Sequence, residues 1–447
     1  MSTISALGIG SGLDLNGLLD QLQSAEREKL VPIVRTKRSY EAKLSAFGQL
    51  RSSLAQFQTA AEKLNKASAF EAVNSTVSGD AVSAAAGKGA REGNYQLSVT
   101  QLARPYSVAT GGIADRDSNL GASTITIDLA SGDSISVTLE AEQSSLADLR
   151  DAINAQSAGV NASIVNDGNA TPYRLALTAS TEGEDAAISN IDFGDLAGQI
   201  SVDPLTEQAA RNAAFNVNGI DIASQTNQVE GAVEGLTFSL KEEGEATVRV
   251  STDAQAIEKS IDNFVSKYNG LQEQIGKLSS YNQETGDAGT LLGDSTLRSV
   301  ESRLRSVFIG GVGEGDIQRL SDVGISLQLD GTLEADSEKL AELVSTDLAG
   351  LQNFFAASSA EDGLAGKLNT ALEGMLRDTG VLEIATDGLD SRIESLDGRY
   401  DRMQRTIDRT VERYRSQFAS LDGLVASMNS QSAYISQQFD ILNAQVS

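Results

Sequence analysis

The chain of 447 residues contains no cysteine, no histidine and no tryptophan, and only 4 prolines. Each gap removes chemistry. Without Cys or His there is no thiolate nucleophile, no Ser-His-Asp relay, no zinc site of the Cys/His type and no disulfide framework. What remains for catalysis is a carboxylate pair of the glycosidase or aspartic-protease kind. The 62 Asp and Glu make such a pair easy to imagine and impossible to place, and an acidic surface serves solubility without chemistry. No stretch approaches the ~20 apolar residues that span a bilayer. The opening MSTISALGIGSGLDL has no Lys or Arg before Arg27 and is broken by glycines, unlike a cleaved secretory signal. The formal net charge of -27 disfavours nucleic acid and anionic membranes as partners. No catalytic residue, metal, cofactor, nucleic acid or membrane insertion is therefore expected.

At roughly 150 residues per domain the length suggests about three units. Apolar residues at Tyr40, Leu44, Phe47, Leu50, Leu54, Phe57, Ala61 and Leu64 step by three and four, the mark of a helix with one apolar stripe. A second helical stretch, Asp14 to Val31, carries Leu15, Leu18 and Leu22, with an interruption expected at Pro32. After about Val73 the pattern changes to short alternating runs that read as strands: 95–102, 123–129, 134–139, 173–179, 236–241 and 246–251. One amphipathic helix, Ser145 to Ala155, interrupts them behind a capping-box-like Ser145/Asp148 start. Helical spacing returns at Thr252, where a capping box is again expected, and continues in pieces at 295–308, 337–343 and 364–376. The Asp330-Gly331 of ISLQLDGTLEA signals a hairpin between them.

The clearest periodicity comes last. Leu389, Ile393, Leu396, Tyr400, Met403, Ile407, Val411, Tyr414, Phe418, Leu421, Val425 and Met428 form a heptad seam with one stutter, continued by Ile435, Phe439, Leu442 and Val446. The 58 residues from Leu389 to Val446 would extend roughly 87 Å as one helix. A lone amphipathic helix of that length needs a partner: the N-terminal helices, or other copies of the chain. The expected fold is α+β multidomain, a helical coiled-coil rod built from both termini with an inserted β-rich head of two domains. For Leu389 to Met428 an intramolecular core and an intersubunit role weigh equally. At Ile435, Phe439, Leu442 and Val446 little chain is left to provide cover, which favours an assembly contact.

Two other motifs dissolve on inspection. Asp115-Arg116-Asp117-Ser118-Asn119 begins like an EF-hand loop, but the glycine comes one place late at Gly121 and position twelve is Thr126. A turn is expected. Gly8-Ile9-Gly10-Ser11-Gly12 lacks the spacing of a phosphate cradle and follows no strand, so it reads as a flexible lead into the first helix.

Several segments together carry a resemblance. GIGSGLDLNGLLDQLQSAEREKL, FNVNGIDIASQTNQVEGAVEGLTFSLK, IDNFVSKYNGLQEQIGKLSSY, LSDVGISLQLDGTLEADSEKL and SQFASLDGLVASMNSQSAYISQQF are similar to the bacterial flagellar filament cap family, hook-associated protein 2. They occur in family order and span nearly the whole chain, although Val108 to Asp203 has no matching motif. The resemblance implies a secreted, non-enzymatic capping protein at the distal filament tip, forming a homo-oligomeric ring of about five or six copies. The ring would retain exported flagellin and promote its folding and insertion. It further implies contact with flagellin and the adjacent hook-filament junction protein, and a cytoplasmic export chaperone acting at the C-terminal region. An outward head leaves room for adhesion to host mucin or glycan. Competing readings are a flagellin-like or other hook-associated subunit and a secreted carboxylate-dependent glycan-active enzyme.

On this reading, 1–39 is a flexible N-terminal coiled-coil segment and 40–72 with 252–428 a helical leg. Residues 73–108 with 209–251 form an inner head, 109–208 an outer head and 429–447 a C-terminal coiled-coil segment. The candidate filament or oligomer contacts are Leu15, Leu18 and Leu22, expected to pair with Ile435, Phe439 and Leu442. Charge follows the same division: net +2 over 1–72 and -1 over 389–447, against -15 over 73–250 and -13 over 251–388. Repulsion among ring subunits is thereby kept away from the segments expected to pack together.

Overall fold

A computed structural model describes residues 12–312, 316–357 and 362–446, with side chains up to Ile441. Two compact units emerge, one from residues 1–70 and 258–447, the other from 71–257.

The first unit is helical. Helices α1 (Leu15–Arg27) and α2 (Val31–Leu64) are separated by a single 3-10 turn, Glu28–Leu30. Pro32 sits in the first turn of α2, where its missing N–H would have had no partner anyway. Nothing after Pro32 breaks the helix, so the expected boundary between residues 39 and 40 falls inside α2. The second unit contributes α3 (Leu146–Gln156), and the chain then returns through α4 (Ala254–Ser279), α5 (Ser295–Ile309), α6 (Ser337–Thr346), α7 (Leu348–Phe355), α8 (Leu364–Leu376) and α9 (Val381–Val446). The oxygen that caps α4 comes from Asp253, not from the expected Thr252: Asp253 Oδ1 accepts from the Ala256 N–H at 3.0 Å. Thr252 instead closes a strand and its hydroxyl bonds Glu92.

The α2 stripe read from the sequence is the core of this unit. Leu50, Leu54, Phe57, Ala61 and Leu64 are fully buried. The Phe57 ring meets Phe264 at 5.2 Å and Tyr268 at 5.4 Å, and Tyr268 meets Phe308 edge-on at 4.8 Å. Tilted and edge-on rings at these distances are the favourable geometries for aromatic pairs. A short hairpin, Ile325–Leu327 with Leu333–Ala335, flanks α4 and is held by Asn269, which donates to the Leu333 carbonyl and accepts from its N–H, both at 2.7 Å.

The second unit has two hydrophobic cores. One is shared by a five-stranded antiparallel sheet, in the order Val73–Ser78, Gly244–Thr252, Gly93–Gln101, Ala213–Val217, Ile220–Ser224, and a three-stranded sheet, Gln228–Val233, Leu236–Leu240, Val82–Ala86. Leu97, Val99, Phe215, Phe238 and Val248 lie inside it. The other core gathers Ile125, Ile127, Leu149, Ile153, Leu175 and Leu177 from a four-stranded sheet, a three-stranded sheet and α3. Ser145 and Asp148 form the expected capping box on α3. Where the chain passes between the two cores and back, Arg104 and Arg211 exchange both backbone hydrogen bonds, at 2.9 and 3.1 Å. Asn227 braces the crossing by bonding both the N–H and the carbonyl of Ala103. The expected edge of the outer head, between residues 108 and 109, falls within the strand Ser107–Thr110, which pairs with Tyr173–Ala179. The EF-hand-like stretch is a turn: Asp115 Oδ1 accepts from the Asp117 N–H at 3.0 Å.

Candidate assembly surface

Among the described residues, no group of three acidic side chains is placed to hold a metal ion, and no helix is long and apolar enough to cross a membrane. The distinctive surface lies along the helices of the two chain ends.

The first helix is launched by Gly12 and Asp14. Gly12 adopts a left-handed φ of +75°, which favours glycine, and Asp14 Oδ1 accepts from the Gly17 N–H at 2.9 Å. Gly12 thus sets the turn into the cap. The glycine-serine lead before it lies outside the described residues.

Helices α2 and α9 run antiparallel in a register fixed by two ion pairs. Lys37 Nζ lies 2.5 Å from Asp397 Oδ1, and Arg51 Nη1 lies 2.5 Å from Glu383 Oε2. In both pairs the residue numbers add to 434, so the register holds over 14 residues of α2. The hydrogen bond to Asp397 raises the Lys37 ammonium above its ordinary value. Continued into α1, the rule sets Leu15 opposite about residue 419 and Gly12 opposite about 422. The intervening 3-10 turn, with its ~2.0 Å rise per residue, shifts this by about one residue.

Burial along α9 follows that register. Every member of the heptad seam from Leu389 to Phe418 is buried or half-buried. Leu421 is 45% exposed, Met428 59%, Ile435 54% and Phe439 62%, and every residue from Ser427 to Ile441 is exposed. Cover ends where the described part of the N-terminal segment ends. The helix runs on for 24 residues past Asp422, about 36 Å at ~1.5 Å per residue. The expected boundary between residues 428 and 429 marks no break in α9; what changes near it is cover.

The candidate contacts fall into two groups. Leu15 is buried at 4% exposure and Leu22 is half-buried against the helical unit, while Leu18 is 44% exposed. Leu19, absent from the sequence reading, is buried in its place. The stripe runs Leu15, Leu19, Leu22, Glu26, Leu30, and following it back from buried Leu30 would have selected Leu19. Ile435 and Phe439 are exposed, and the side chain of Leu442 lies outside the described residues. Leu15 and Phe439 sum to 454, so within one chain they are about 20 residues out of register, roughly 30 Å along the helix. A single copy does not bring the two groups together. Leu424, Tyr434 and Ile441 are further exposed apolar residues on the same segment that the heptad count did not include.

The chain matches two family models, flagellar hook-associated protein 2 N-terminus over residues 11–105 and flagellar hook-associated protein 2 C-terminus over residues 210–430. A flagellin hook IN motif matches residues 118–181, inside the stretch where sequence reading found no motif. Similar curated proteins include flagellar hook-associated protein 2 of Escherichia coli K12, 35% identical over 98% of this chain and 99% of that protein. The Xenorhabdus nematophila protein of the same name is 33% identical, over 98% and 99% respectively. Among solved structures, the flagellar cap protein FliD D1-D2-D3 domains from Escherichia coli superpose with a TM-score of 0.65 at 33% identity, covering 77% of this chain and 99% of that one. These matches lend no support to the adhesin or glycan-enzyme readings. With near-complete coverage of both chains and both terminal family models in place, the chain belongs to the flagellar hook-associated protein 2 family.

Proposed function

We propose that this chain caps the distal end of a bacterial flagellar filament as a homo-oligomeric ring of about five or six copies, retaining exported flagellin and promoting its insertion. One observation carries the reading. The long C-terminal helix presents Leu421, Met428, Ile435 and Phe439 to solvent at heptad spacing, a stripe that the other described residues of the chain leave uncovered. Such a stripe gains stability when a partner of matching periodicity covers it. The filament end, the junction protein before the first flagellin arrives and an export chaperone acting on the C-terminal region are the partners this role calls for. Leu15, Leu18 and Leu22 of one copy then meet Ile435, Phe439 and Leu442 of another or of the filament. A cap must also move when each subunit is added, which suits contacts that are individually weak and repeated by symmetry.

The two cores of the β-rich unit support a division into inner and outer heads, and the Arg104/Arg211 crossing supports treating the outer one as an insertion. The acidic charge held in 73–388 then faces water. Deleting the gene and restoring it tests the whole proposal. Loss of motility with monomeric flagellin in the medium, reversed by the full chain, is the expected result; normal filaments without the gene would overturn it.

A further inference from the structure

Beside the ion-paired register of α2 and α9 lies a groove of about 810 Å³. Leu30, Val31, Val34 and Tyr400 give it an apolar floor, and Arg27, Arg35 and Arg38 stand at its rim. All three arginines are exposed, and none has an ion-pair partner among the described residues. The setting is basic in an otherwise acidic chain: residues 27–38 carry net +4 and residues 399–415 net +3, against -27 for the whole. A ligand for this groove needs an apolar tip flanked by carboxylates.

The same unit carries such a feature. At the turn of the hairpin Ile325–Leu327/Leu333–Ala335, Leu329 is fully exposed, with Leu327 also exposed beside it. Asp330 and Glu334 flank the tip and face solvent. The turn is preorganised, since Gln328 and Gly331 close it through backbone hydrogen bonds and Asp330 accepts from both the N–H and the hydroxyl of Thr332. An exposed leucine held on a rigid turn binds with little loss of conformational freedom.

A chain cannot satisfy its own groove. Helices α4 and α2 are antiparallel through Lys267 with Gln56 and Gln274 with Gln49, pairs that both add to 323. Gln272, beside which Gly331 lies, is therefore level with about residue 51 of α2, while the groove centres near residue 33. Those 18 or so residues of α2 correspond to about 27 Å. The hairpin that fills the groove must come from another molecule.

We propose that the groove of one copy receives the Leu329 hairpin of a second copy, with Arg35 and Arg38 facing Asp330 and Glu334. This rests on the self-association proposed above and assigns it a surface. The contact joins two different patches of the chain, so a ring of copies can repeat it head to tail. Its charged rim makes it sensitive to ionic strength.

Sedimentation velocity of the full chain tests this. Arg35→Glu with Arg38→Glu, and separately Asp330→Arg with Glu334→Arg, should each weaken association about tenfold or more, and mixing the two variant chains should restore it. Leu329→Asp is an independent arm, expected to weaken association with melting unchanged because the side chain is exposed. If the wild type associates and the charge variants and Leu329→Asp associate equally well, this surface is overturned while self-association stands. Failure of the mixture to recover overturns the pairing of the two patches. A wild type that stays monomeric at all concentrations overturns both readings.

Discussion

Phe439→Asp and Leu15→Ala should fail in opposite ways, because the structure places one side chain outside and the other inside the same helical pairing. Phe439 is 62% exposed. A phenylalanine presents on the order of 200 Å², so about 120 Å² awaits cover, and at ~25 cal/mol per Å² its burial in an assembled contact contributes about 3 kcal/mol. That is about a hundredfold in affinity per copy. Replacing it by aspartate removes the gain and sets a charge where the apolar partner would sit. The isolated chain should keep its thermal unfolding curve, since substitutions at exposed sites usually fall within about 0.5 kcal/mol. Leu15 is 4% exposed, and its truncation to alanine costs about 2–5 kcal/mol of local stability.

Two assays separate the outcomes. In amide hydrogen exchange, Leu15→Ala should raise opening throughout α1, where few contacts oppose fraying, and Phe439→Asp should leave α1 unchanged. In a cap-deficient strain, Phe439→Asp should give short or absent filaments and flagellin in the medium, although the protein is folded and exported. If Phe439→Asp restored normal filaments, or loosened α1 as much as Leu15→Ala, the register of 434 and the solvent-facing role of the last turns would both be refuted.

Phe57→Ala should destabilise the helical unit by about 3–5 kcal/mol, since the ring is fully buried against Phe264 and Tyr268; chemical denaturation followed by tyrosine fluorescence would measure it. Asp167 supplies a pH test for the β-rich unit. The Asn169 N–H, and after it the Arg174 guanidinium, hold its carboxyl at about 2, below the ~3.9 of an unfolded chain. Its contribution is therefore complete above pH ~4 and is lost as the pH falls through about 2. In acid titration by circular dichroism, Asp167→Asn should flatten the loss of stability between those values; an unchanged acid transition would refute the assignment.

Periodicity made the helices legible because their burial is local. The Tyr40-to-Leu64 stripe and the Leu389-to-Phe418 seam are inward-facing as spaced, and the runs at 123–129 and 134–139 pair as the hairpin their turn announced. Among the strands that escaped notice, two have a weak pattern. Val202–Gln208 is an edge strand exposed over most of its length and carries Pro204, and Val160–Asn166 is polar at alternate positions and exposed at its end. Edge strands satisfy fewer partners and so tolerate such composition. The pairing of Val73–Ser78 with Gly244–Thr252 links segments some 170 residues apart, which no local window contains.

The reach of the N-terminal cover over α9 was hidden for a different physical reason. A heptad seam says that a helix has a partner face, but its repeat is nearly the same at every turn, so it cannot say where the partner stops. That limit is set by register, and register here is fixed by ion pairs between residues 360 and 332 positions apart in the chain, Lys37 with Asp397 and Arg51 with Glu383. Shifting α9 by one heptad would keep apolar residues on the seam and break both pairs. The ion pairs are partly exposed and individually weak, yet they select among packings that the apolar seam leaves nearly degenerate. With the register set, α9 outruns the described part of the N-terminal segment by about 24 residues, and its exposed length keeps the same apolar repeat as the covered length. A segment that retains the pairing pattern beyond its described cover suits the proposed role, in which the chain must grip and release a growing filament end.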